Sequence, residues 1–181
     1  AEDAGRRYGN FSGRWYALRH CPACHFSFVA DPWTEFSTIY SEAYYCGQGA
    51  DPHVDYRFEL ENPGQTVRTY EWRGLLRAVS SLKPCRKGTC WLDFGCGHGG
   101  LVRYVSQQTD YEIAGFEEGH IVKPAQDLGI PILARAQLDQ SAGSFDVVTA
   151  IEVLEHAVDP LETLRVIRRS LKPGGLLFLT T

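Results

Sequence analysis

The stretch Trp91-Leu92-Asp93-Phe94-Gly95-Cys96-Gly97-His98-Gly99-Gly100 decides the fold. A run of strand-like residues from Cys90 to Phe94 breaks into glycines. Leu101, Val102, Tyr104 and Val105 then recur at helical spacing. A strand that turns sharply into a helix needs glycine at the turn, where the backbone must bend and can approach a ligand closely. The start of the following helix adds oriented N–H groups. The glycines alone leave the ligand open. Gly95, Gly97 and Gly100 satisfy the dinucleotide fingerprint G-x-G-x-x-G, whereas Gly95, Gly97 and Gly99 satisfy G-x-G-x-G. A glycine-rich turn with no ligand is the plain alternative.

Asp93 shifts the balance. It stands two residues before the first glycine, at the strand end that faces a ligand. A carboxylate there suits a cationic amino group and repels a pyrophosphate. S-adenosylmethionine has an amino group and a sulfonium and no phosphate. Glu117 closes the second expected strand, where an acidic side chain can take both hydroxyls of a ribose. This feature fits either nucleoside cofactor, and a solvated surface acid beside Glu118 is its structural alternative.

Working outward, short apolar runs alternate with helical segments. Tyr111 to Phe116 reads as the second strand, Ile130 to Ala134 as the third, Phe145 to Ile151 as the fourth and Leu176 to Thr180 as the fifth. Between the last two lies a helix. Asp159 is its expected N-cap, Pro160 its first residue and Glu162 the partner in a capping box. Leu161, Leu164, Ile167 and Leu171 form its apolar face, and Pro173-Gly174-Gly175 stops it. Upstream, Thr66 to Leu82 reads as a helix with Val67, Tyr70, Leu75, Val79 and Leu82 on one broad face. Strand–helix alternation implies a parallel sheet with right-handed crossovers. The expected fold class is therefore α/β, a Rossmann-like doubly wound parallel sheet in the order 3-2-1-4-5. Its ligand site lies at the carboxyl ends of the strands. Residues 1–65 show little periodicity and read as a small irregular accessory region, with the cofactor-binding domain over 66–181.

Four ordered blocks carry a resemblance. Trp91 to Gly99 resembles motif I of class I S-adenosylmethionine-dependent methyltransferases, and Ser144-Phe145-Asp146-Val147-Val148 resembles their fourth-strand motif. Glu152-Val153-Leu154-Glu155-His156 with Asp159-Pro160, and Ser170-Leu171-Lys172-Pro173-Gly174-Gly175, resemble later blocks of one branch. That branch includes ubiquinone-pathway O-methyltransferases and deoxysugar C-methyltransferases with an N-terminal zinc ribbon. The resemblance implies methyl transfer from S-adenosylmethionine to a small-molecule acceptor such as a sugar, a quinone or another metabolite. A non-catalytic cofactor-binding scaffold and a nicotinamide-dependent oxidoreductase are the competing readings. By the resemblance, Asp93, Gly95, Cys96 and Gly97 hold the methionine part. Glu117 holds the ribose, with Glu118 beside it. Ala136 and Gln137 lie near the adenine, Gln137 replacing the family's usual acid. Ile151 and Glu152 lie beneath the sulfonium. The family fold continues through a further helix and two strands, so the chain is expected to be part of a longer protein, as the lack of any methionine also suggests.

His156 is a candidate base for an acceptor hydroxyl, since an imidazole titrates near neutral pH. The spacing Glu152-x-x-Glu155-His156 also resembles the metal cluster of small-RNA 2′-O-methyltransferases. A histidine merely packed at a helix start is the third reading. Cys21-Pro22-Ala23-Cys24 is one zinc knuckle, and a structural zinc site needs two. The resemblance to zinc-ribbon methyltransferases implies a second pair upstream. Reduced free thiols are the alternative, and either reading suits a cytoplasmic setting. No apolar run approaches the roughly 18 residues of a membrane span. A formal net charge of −4 argues against a nucleic-acid partner held by bulk electrostatics.

Overall fold

Residues 1–10, 12–48, 55–119 and 121–181 are described by the computed structural model, and they separate at Ile39/Tyr40 into two units. The first unit was expected to be irregular. It holds an antiparallel sheet of β1 (Glu2–Gly9), β2 (Arg14–His20) and β3 (Ser27–Val29), in the order β1-β2-β3, and then α1 (Phe36–Ile39). The sequence hides this sheet because β1 is exposed nearly throughout and buries no alternating apolar face. Gly5 also interrupts its register between Asp3 and Arg6.

The second unit begins with α2 (Glu42–Tyr45), α3 (Tyr56–Glu61) and α4 (Arg68–Leu82). It continues as β4 (Cys90–Phe94), α5 (Gly100–Gln108), β5 (Glu112–Phe116), α6 (Val122–Asp127), β6 (Ile132–Leu133), α7 (Arg135–Asp139), β7 (Phe145–Ile151), α8 (Pro160–Ser170) and β8 (Leu171–Thr180). The five strands form one sheet in the order β6-β5-β4-β7-β8, every neighbouring pair parallel. The chain thus starts at the middle strand, moves to one edge, returns and ends at the other. The reversal falls between β4 and β7, where an open sheet leaves a crevice at its carboxyl ends.

β4 is buried on both faces, as a central parallel strand must be. Trp91 packs with Val79, Val102, Val105 and Ile113 on one side. Leu92 and Phe94 pack with Leu138, Val148 and Ile167 on the other. The two-residue period puts Asp93 on the Trp91 side.

Three readings need correction. The face of α4 that packs on the core carries Trp72, Leu75, Leu76 and Val79, while Val67, Tyr70 and Leu82 are exposed. Trp72 had no place in the expected stripe, yet it is the largest apolar group the helix offers. The last helix stops at Ser170 rather than continuing through Lys172, and Leu171 already pairs with Phe145. Residues 172–175 then fall where the register shifts, before Val147 pairs with Leu176. An edge strand tolerates Pro173 there because its N–H is not needed by a neighbour on the open side. Finally, residues 40–65 belong to the second unit, and Leu60 of α3 is buried in its core.

Candidate active site

The register of β4 against β7 pairs Asp93 with Thr149. Both side chains are buried, and the Thr149 hydroxyl donates to Asp93 Oδ1 at 2.7 Å. Trp91 Nε1 in turn donates to Thr149 Oγ1 at 3.0 Å. The indole thus orients the hydroxyl, and the hydroxyl orients the carboxyl. Among the described residues no cation pairs with Asp93. Burial raises its pKa to about 7, the Thr149 hydrogen bond lowers it in part, and the Glu117 charge adds to the rise. A buried carboxyl is costly to ionise unless a cation or further donors join it.

Beyond Asp93 the backbone enters the left-handed region at Gly95, Gly97 and Gly99, with φ of 75°, 53° and 76°. A Cβ on Gly95 would lie 2.5 Å from Val153 Cγ2, so this glycine also admits the turn after β7. Among the described residues nothing lies within 4 Å of a Cβ on Gly97. Cys96 is buried, its sulfur packed on Gly115, and its carbonyl accepts from the Gly99 N–H at 2.9 Å. The Cys96 N–H donates to the Phe116 carbonyl at 3.1 Å, tying the loop to the end of β5.

Glu117 follows that strand end directly. Its Oε1 accepts from the N–H groups of Glu118 and Gly119, both at 2.9 Å. Its Oε2 accepts from the Gly97 N–H at 3.2 Å. The carboxylate therefore binds the glycine loop to its own turn. Glu118 points elsewhere: it makes a paired contact with Arg135, whose guanidinium lies 4.6 Å from the Phe116 ring centroid.

The remaining sequence-selected residues divide. Ala136 and Gln137 are not in a loop but in α7. The Gln137 amide oxygen accepts from the Ala134 N–H at 2.7 Å, so it is already engaged at the helix start. Ile151 ends β7, and Glu152 turns with φ of 53°. Its N–H still bonds the Thr180 carbonyl at 3.1 Å. A non-glycine residue held left-handed costs about 1–3 kcal/mol and is typical of functional turns. His156 closes the short turn Leu154–His156, its ring edge-on to Tyr40 at 6.1 Å. Among the described residues no three His, Cys, Asp or Glu groups form a metal cluster. Glu152, Glu155 and His156 are thus not gathered around a common point, and Cys21 and Cys24 stand as a pair.

The sequence reading missed two contributors. Tyr40, Tyr44, Tyr45 and Tyr56 form a contiguous aromatic group from the α2–α3 segment, with ring centroids 5.2–6.4 Å apart. It reaches His156 through Tyr40, and His98 of the glycine loop through Tyr56 at 5.3 Å. The only signal in the sequence was the density of tyrosines. His98 itself is buried, and its Nε2 has no hydrogen-bond partner among the described residues. Burial, with the Arg68 charge adding, holds its imidazole down at about 4, so it is neutral.

Comparison with known proteins sets this geometry in a family. A family model described as a methyltransferase domain matches residues 65–181. The chain belongs to the methyltransferase-domain family. A ubiquinone biosynthesis O-methyltransferase of Caulobacter vibrioides is 35% identical to this methyltransferase-domain chain over 105 residues, covering 52% of this chain and 41% of the relative. The chain spans less than half the length of that relative. Among solved structures, a SAM dependent methyltransferase from Aquifex aeolicus superposes with a TM-score of 0.52 at 16% identity, over 67% of this chain and 70% of that one. The [4+2]-cyclase SpnF has a TM-score of 0.51 at 26% identity, over 59% and 43%. The shared fold places the glycine loop of this methyltransferase domain at the strand ends.

Proposed function

We propose that the chain carries the cofactor half of an enzyme that moves a methyl group from S-adenosylmethionine to a small-molecule acceptor. The observation that carries this reading is the buried Asp93 carboxyl, oriented by Thr149 and paired with no cation among the described residues, beside an open glycine turn. A dinucleotide would bring pyrophosphate to that point and meet repulsion. The sulfonium supplies an electrophilic methyl group. What the protein adds is mainly alignment. Asp93 takes the methionine amine, the Gly95–Gly97 backbone admits the chain, and Glu117 binds the ribose. The turn at Ile151-Glu152 would stand beneath the reacting centre. His156, on the next turn, accepts the proton of an acceptor hydroxyl as the oxygen–methyl bond forms and the carbon–sulfur bond breaks.

Cys21 and Cys24 are read as two ligands of a four-ligand zinc site. Backbone N–H groups of Cys24 and Ala23 approach the Cys21 sulfur and lower its pKa, as a thiolate ligand requires. The reading places the protein in a reducing, cytoplasmic setting, where a Cys-x-x-Cys pair stays available to a metal. The reading assigns the second unit, Tyr40–Thr181, to cofactor binding and the first, Ala1–Ile39, to an accessory role. No helix among the described residues is long and apolar enough to cross a membrane.

SpnF is a cyclase, so turnover has to be measured apart from binding. The test uses S-adenosylmethionine with a labelled methyl group and a panel of phenols, quinols and sugar hydroxyls. Label should pass to at least one acceptor, and His156→Ala should slow transfer by about 10²-fold, the lower end of the range for a general base. No transfer beside firm cofactor binding would favour the scaffold reading.

A further inference from the structure

The number of acceptor positions on Glu117 carries an inference beyond the sequence motif. A carboxylate offers about four lone-pair positions. Oε1 uses two on Glu118 N–H and Gly119 N–H, and Oε2 uses one on Gly97 N–H. One position remains, on Oε2. A ribose presents two neighbouring hydroxyls. Glu117 can take one of them while it holds its loop, and the second needs another partner.

Tyr45 stands at the right place. A point one bond out from the Gly119 Cα lies 3.0 Å from Tyr45 Oη and 3.4 Å from Glu117 Oε1, so hydroxyl and carboxylate flank the same spot. No hydrogen bond to the Tyr45 hydroxyl occurs among the described residues. Its ring is held by Tyr40, Tyr44 and Tyr56 at 6.4, 5.2 and 5.7 Å. The antiparallel bridge of Cys46, which follows Tyr45, to Asp55, which precedes Tyr56, ties the two helices together. Burial raises the phenol pKa, and the Glu117 charge adds to the rise. The hydroxyl therefore stays protonated, able both to donate and to accept.

We propose that Tyr45 is a cofactor-positioning residue: its hydroxyl bonds one ribose hydroxyl while Glu117 Oε2 accepts from the other. This rests on the reading of the site as a nucleoside site. It makes the α2–α3 segment, which lies outside the four sequence blocks, part of cofactor recognition.

The experiment titrates S-adenosylhomocysteine and its 2′-deoxy and 3′-deoxy analogues into the intact chain and into Tyr45→Phe, with melting curves to check the fold. The substitution keeps the ring in its cluster and removes only the hydroxyl. It should weaken S-adenosylhomocysteine about fivefold, the worth of one neutral hydrogen bond. It should leave one deoxy analogue unchanged, the one that lacks the hydroxyl Tyr45 contacts. Glu117→Gln should spare the opposite analogue most. Equal affinity of wild type and Tyr45→Phe for all three ligands would overturn the proposal and leave the nucleoside reading standing. An equal loss for all three would overturn it too, because it would mean packing rather than a hydroxyl contact. Wild-type protein that binds none of the three overturns the nucleoside reading and the proposal with it.

Discussion

Asp93 is a buried carboxyl that accepts from the Thr149 hydroxyl, and this has a consequence for pH. Its folded pKa of about 7 lies above the ordinary value near 4, so the folded state keeps this proton where the unfolded chain has lost it. That contribution to stability is complete below about pH 4 and is lost as the pH rises through about 7. A cationic ligand needs the ionised form, so its dependence runs the other way. Affinity for S-adenosylhomocysteine should rise by roughly tenfold per pH unit up to about 7 and then level, with proton uptake from Asp93 by the buffer. Calorimetry in buffers of different ionisation enthalpy reads both quantities, and Asp93→Asn should abolish the slope and the proton release together. The two acids after β5 should differ sharply. Glu117→Gln puts an amide N–H₂ against backbone donors and removes the charge, so cofactor affinity should fall at least about tenfold. Glu118→Gln touches only an exposed pair with Arg135 and should cost less than about threefold. A larger loss at Glu118 in parallel titrations would shift the whole ligand site by one residue.

At the level of elements, α8 separates a cap from a surface pair. Asp159 Oδ1 accepts from the Glu162 N–H at 2.9 Å, as its place before Pro160 suggested. The Glu162 carboxylate does not return the bond; it faces Arg165 and Arg169 in solvent. In urea unfolding, Asp159→Ala should cost about 1 kcal/mol, and Glu162→Ala less than about 0.5 kcal/mol. If both cost the same, a reciprocal capping box operates after all. The contrast shows what a sequence can disclose. β4 and β7 run from Cys90 to Phe94 and from Phe145 to Ile151, as their apolar runs announce, because a strand buried on both faces is made mostly of apolar side chains. The same run conceals Thr149, whose role depends on which residue of β4 it meets. α2 and α3 are too short for a helical period, and their tyrosines gain meaning only from ring contacts between residues far apart in sequence. Glu117 was legible as an acid at a strand end. That three backbone N–H groups already occupy it was not, since the curl of a turn leaves no mark in the side-chain pattern.

In the whole molecule, the cofactor reading depends on Asp93, the glycine turn and Glu117, three groups brought together at the carboxyl ends of β4 and β5 by a parallel sheet. The unit that holds them begins at Tyr40 rather than near residue 66, so the aromatic segment is built into the same body as the sheet. The proposed site would discriminate by charge, since a carboxylate attracts an amine and repels a pyrophosphate. The most direct test is a pair of calorimetric titrations of the intact chain, one with S-adenosylhomocysteine and one with NAD⁺. The account predicts one-to-one binding of S-adenosylhomocysteine, lost in Asp93→Ala, and no measurable heat from NAD⁺. Binding of NAD⁺ with no response to S-adenosylhomocysteine would contradict it.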